Sequence, residues 1–107
     1  MAGKRDKVKD IDRYSILTND LTHCKICGTS QGVGLHEVFY GSANRKKSKE
    51  DGMVIPLCGY HHNLSNRGIH YNKEFDLREK QQAQFAWLSY YGKTVDDFIK
   101  RFGQNHL

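Results

Sequence analysis

Two short ligand pairs, Cys24-Lys-Ile-Cys27 and Cys58-Gly-Tyr-His61, constrain this chain more than anything else in it. Each puts two metal-binding side chains two residues apart. That spacing lets both ends of a tight turn point at one ion, and two such turns complete a tetrahedron of the kind zinc prefers. The thirty residues between the pairs are enough for a hairpin that returns its end to its start. His23 and His62 rival His61 as fourth ligand, because each also adjoins a cysteine pair. Buried cysteines can act simply as small apolar residues, but that reading leaves the second pair unexplained. Three cysteines cannot pair without leaving one over, which argues against a disulfide framework and for metal ligation in a reducing compartment.

A chain of 107 residues has room for one compact domain. A domain so small commonly needs a staple beyond its apolar core. A structural zinc contributes on the order of 10 kcal/mol in small finger peptides, comparable to the whole stability of an ordinary domain.

Lys and Arg outnumber Asp and Glu by 17 to 12, for a net charge of +5 and a pI near 9.2, which favours a polyanionic partner. The first ten residues contain no apolar run, so no signal peptide is expected. No window approaches the length of a bilayer span. The expectation is a soluble cytoplasmic protein without membrane contact.

Along the chain, residues 1–13 read as a flexible basic arm and 14–107 as a single domain. Residues 14–17 suit a short strand, 28–34 a turn, and 34–40 a strand rich in aromatic and branched residues. Residues 41–52, bounded by glycines and rich in Lys, read as a cationic loop. Residues 53–57 form a short buried strand with Pro56 near its end. A short helix runs from 58 to about 66, and Gly68 helps to end it. Two helices close the chain. One spans about 73–91 with Gly92 as cap, its apolar stripe drawn through Leu77, Gln81, Phe85 and Leu88. The other starts at a capping box, Thr94 to Asp97, and carries Val95, Phe98, Ile99 and Phe102 on one face before Gly103. The fold class expected is α+β.

The order of these features resembles the HNH endonuclease family, the zinc-bearing branch of the ββα-metal nucleases. The match runs over Cys24 to Cys27, then Leu35-His36-Glu37-Val38, then Met53-Val-Ile-Pro-Leu-Cys58, then His61-His62 and His70, within about residues 21–71. The helical tail, 73–103, is similar to the ends of small phage-encoded members. The resemblance implies a zinc-stapled ββα-metal core in which Cys24, Cys27, Cys58 and His61 hold a structural Zn²⁺. It also implies a catalytic divalent ion, Mg²⁺ or Mn²⁺, with His36, Glu37, His62 and His70 as the catalytic set, acting on DNA phosphodiester bonds. Either His36 is the general base, the assignment favoured here because imidazole titrates near neutrality, or His36 ligates and Glu37 accepts the proton. His62 and Asn66, four apart on the expected helix, would share a face. Met53 stands where the family carries its central Asn, and Asn44, Asn63 or Asn66 are the alternatives for its loop-bracing role.

Asn44, Arg45, Lys46, Lys47 and Lys49, between the two strands, form the expected nucleic-acid contact, positioning phosphates rather than reading bases. The partner expected is DNA, with RNA as the alternative, engaged as a dimer or within a larger assembly. Two rival readings remain open. Met53 favours a catalytically silent zinc module that binds nucleic acid. A zinc-stapled adaptor would use Phe85, Trp87, Tyr90 and Tyr91 as its contact surface.

Overall fold

A computed structural model describes residues 14–107; the expected basic arm, 1–13, lies outside the described residues. The described chain is a small α+β domain whose elements run β1 (Val33–Glu37), α1 (Arg45–Asp51), β2 (Val54–Cys58), α2 (Gly59–His62), a single 3₁₀ turn (Ile69–Tyr71), α3 (Lys73–Tyr91) and α4 (Val95–Phe102). The two strands pair antiparallel, Val33 opposite Cys58 and Glu37 opposite Val54. Pro56 faces Leu35 in this register. Its lone acceptor serves the first knuckle, because the Lys25 amide donates to the Pro56 carbonyl at 2.8 Å.

Several local expectations are corrected. Residues 14–17 form no strand; they bend along the end of the hairpin, where the Ser15 hydroxyl donates to Val54 O and the Ile16 amide to Gly52 O. β1 starts at Val33 and stops at Glu37, because Val38 and Phe39 turn into the core. The supposed cationic loop contains α1. Nothing between Arg45 and Asp51 breaks a helix, and Gly52 closes it in the left-handed conformation at φ 76°. α2 is one turn only, ending at His62 rather than near Asn66, so His62 and Asn66 share no helical face.

The core is aromatic and lies between the hairpin and the two long helices. Phe39 packs edge-on against Phe98 with centroids 5.1 Å apart, and Trp87 meets Phe98 at 5.3 Å. Such contacts add to the burial of large apolar area. On α3 the buried stripe is Phe75, Glu79, Ala83 and Trp87, with Gln84 beside it, while Leu77 and Phe85 are exposed. The stripe drawn from sequence is therefore rotated around the helix. The buried polar groups explain why: Glu79 is paired with Lys25 of the first knuckle, and Gln84 donates to Asn105 Oδ1 and accepts from the His106 amide, both at 2.8 Å. Trp87 Nε1 and the Arg101 guanidinium both donate to Asp51 at the end of α1, and the Tyr91 hydroxyl donates to its carbonyl. Trp87 and Tyr91 thus belong to the interior joint and not to an adaptor surface. α4 begins with the expected capping box, both of its hydrogen bonds formed.

Candidate metal centres

The first centre sits where the knuckle after residue 23 meets the junction of β2 and α2. Cys24, Cys27, Cys58 and His61 bring their ligand atoms within 4.8 Å of one another. Cys27 Sγ lies 3.8 Å from Cys58 Sγ; His61 Nδ1 is 3.3 Å from Cys58 Sγ and 3.8 Å from Cys24 Sγ. Zinc–sulfur bonds of about 2.3 Å at tetrahedral angles put two sulfurs roughly 3.8 Å apart, so this donor set fits zinc. The three cysteines form no disulfide. Burial opposes ionisation of Cys24, but the amides of Cys58, Cys27 and Ile26 outweigh it and hold the thiol down to about 6. The thiolate, which is the ligating form, is thereby favoured. The rivals for the fourth position go elsewhere. His23 Nδ1 pairs with Asp20 Oδ2 at 2.8 Å on the surface, and His62 turns into a second cluster.

That cluster joins three elements. His36 is the penultimate residue of β1, His62 ends α2, and His70 is the middle of the 3₁₀ turn. His70 comes back onto His62 because the chain passes Gly68 against the end of α2. A Cβ at Gly68 would stand 2.6 Å from the His62 carbonyl oxygen, so only glycine fits. His36 Nδ1 lies 3.3 Å from His62 Nε2, which is 3.1 Å from His70 Nε2. Nitrogens held about 2.0–2.1 Å from one tetrahedral zinc are roughly 3.3 Å apart. The three nitrogens can therefore share one ion.

His36 is 2% exposed, and its Nε2 is buried without a hydrogen-bond partner. Burial first, then the neighbouring His62 and His70, push it down to about 3, so it is neutral and keeps a free lone pair at ordinary pH. Burial and His70 also lower His62, against an opposing pull from Glu37.

Around the cluster, Glu37 Oε1 lies 3.7 Å from Arg45 Nε. Of the residues expected to meet phosphates, Arg45 and Lys46 are exposed and Lys49 is partly buried. Asn44 and Lys47 are half-buried and donate at 2.9 Å to the carbonyls of Phe102 and Arg101. Their polar ends tie α1 to α4.

Sequence reasoning missed four neighbours. Ser48, fully buried, accepts from the Phe39 amide at 3.1 Å and donates to the Phe39 carbonyl at 2.6 Å. It braces the segment after β1. Met53 lies wholly inside the core. Tyr40 stands 5.7 Å from His36 and 5.2 Å from His70 between ring centroids, and donates to Asp76 Oδ1. Lys80 lies over the Tyr40 ring and pairs with Asp76. The aromatic run from residue 38 was the only signal for Tyr40; nothing local marks Ser48, Asp76 or Lys80.

No protein-family model matches the chain, and no curated protein or solved structure matches it. Among the described residues, no helix is long and apolar enough to cross a membrane.

Proposed function

We propose that this protein is a metal-dependent endonuclease or nickase of the HNH type, hydrolysing phosphodiester bonds in DNA, with zinc at the Cys/His centre as a structural staple. The observation that carries the reading is the convergence of His36, His62 and His70 on one point beside that staple. His36 comes from near the end of β1, His62 from the end of α2 and His70 from the 3₁₀ turn, and the run of strand, cationic segment, second strand and ligand-bearing turn is consistent with a ββα-metal core. Three imidazoles suit borderline ions such as Zn²⁺, Co²⁺ or Ni²⁺ better than Mg²⁺, which prefers oxygen ligands. When bound, such an ion stabilises charge on the phosphate and on the departing 3′ oxygen.

The remaining roles fall to the chain itself. A general base must touch the water it deprotonates, and His36, sealed at 2% exposure with both nitrogens turned inward, is poorly placed to do so. Its burial favours the second of the two assignments: His36 ligates, and the carboxylate of Glu37 at the end of β1 takes the proton. Arg45, beside Glu37, holds substrate phosphate.

Incubating the zinc-loaded protein with supercoiled plasmid and Co²⁺, Ni²⁺, Mn²⁺ or Mg²⁺ tests the proposal. Nicking is expected with the wild type and is lost in both His36→Ala and Glu37→Gln. Calorimetry separates the two: His36→Ala loses the second ion and Glu37→Gln retains it. Binding of plasmid without nicking in every metal would sink the enzyme and leave the silent nucleic-acid module.

A further inference from the structure

We infer that Lys80 of α3 is a phosphate anchor at the three-histidine site, holding an internucleotide phosphate of the substrate together with Arg45. The inference rests on the nuclease reading and extends it to a helix outside both ligand pairs. Lys80 lies one turn after Asp76, whose Oδ2 is 2.9 Å from its ammonium. The same ammonium stands 4.3 Å from the centroid of the Tyr40 ring, a cation–π contact. Tyr40 is itself fixed, its hydroxyl donating to Asp76 Oδ1 at 3.1 Å, and its ring lies against His36 and His70. A lysine head that is usually mobile is thus fixed from two sides, with its side chain only 18% exposed. Ordering a free lysine costs side-chain entropy, and here that ordering precedes any ligand. An ammonium has three donors. Asp76 takes one and the ring face accepts electrostatically, so donor capacity remains for an anion.

The charge balance points to the same ligand. Among the described residues, two ion pairs lie near the histidines, Glu37 with Arg45 and Asp76 with Lys80, and each is balanced within itself. A divalent ion bound there would add two positive charges that these two balanced pairs do not offset. The anion that satisfies such a site in a basic chain is a backbone phosphate diester. Lys80 and Arg45 come from α3 and α1, so two elements would grip the strand instead of the α1 cluster alone.

The test measures binding of a fluorescent DNA duplex to zinc-loaded protein over a series of salt concentrations, then nicking kinetics with the second metal added. Each phosphate contact contributes about 0.9 to the slope of log affinity against log salt. Lys80→Met keeps the apolar stem over Tyr40 and is expected to flatten that slope by about 0.9. It should also raise KM for nicking roughly tenfold, with kcat nearly unchanged. Lys80→Arg should keep the slope. Lys93→Met, at an exposed position between α3 and α4, should change neither quantity. An unchanged slope and KM in Lys80→Met, with wild-type binding intact, overturns the anchor and leaves the nuclease reading standing. Equal losses in Lys80→Met and Lys80→Arg assign the effect to packing on Tyr40 and also overturn the anchor. A wild type with no salt-dependent DNA binding overturns both.

Discussion

A buried hydroxyl keeps its place only when its partners repay the loss of water, and Ser48 has two, the amide and the carbonyl of Phe39. Those bonds hold the backbone just after the residues that carry His36 and Glu37. Ser48→Ala leaves both Phe39 groups buried and unpaired, so a loss of about 2 kcal/mol is expected, read from urea denaturation of the zinc-loaded protein. The second metal should also bind more weakly, since the end of β1 is no longer pinned. In the sequence Ser48 is one polar residue in a lysine-rich run, indistinguishable from solvated neighbours. The residues of the Cys/His centre were legible because ligand spacing is a property of a few adjacent residues. His36, His62 and His70 could be named singly, but their shared point depends on the path between them.

At the scale of elements, that path turns on Gly68. Gly68→Ala puts a methyl group against the His62 carbonyl, and the 3₁₀ turn must shift away, taking His70 with it. Zinc content should stay at one ion per chain. Affinity for a second Co²⁺ should fall by at least about tenfold, the lower range for losing a supporting contact in a metal site, as followed by calorimetry. In α4 the Thr94 amide donates to Asp97 and holds its carboxyl below the ordinary value of 3.8. A carboxyl depressed by folding stabilises fully above its unfolded pKa, and that contribution fades as pH falls through the folded one. Asp97→Asn should therefore lower the melting temperature near neutrality and have progressively less effect below about pH 4. The box itself was readable from four residues. The face of α3 was not, because Glu79 and Gln84 are interior only by virtue of Lys25, Asn105 and His106, partners far along the chain. The helix α1 was hidden behind its charge, which says what faces water and nothing about the backbone beneath.

For the whole molecule, the α+β class, the hairpin and the two closing helices followed from the order of ligand pairs, short apolar runs and caps; the docking of those helices through Asp51 did not. The Cys/His centre ties the first knuckle to β2 and α2, and Lys25, inside that knuckle, reaches Glu79 of α3. Removing zinc with a strong chelator at neutral pH should cost on the order of 10 kcal/mol, enough to unfold a domain of ordinary stability. Far-UV circular dichroism should collapse as a metallochromic indicator reports one ion released.

His61 and His62 are neighbours on a single helical turn, yet one faces the cysteines and the other faces His36 and His70. Loading at the two centres is therefore expected to be ordered. The sulfur-rich centre would have to fill before the imidazole-only centre has a shape to offer, whereas a second ion would come and go without disturbing the first. On the proposed reading, metal scarcity should silence such a chain in two stages, shedding first its chemistry and only later its architecture.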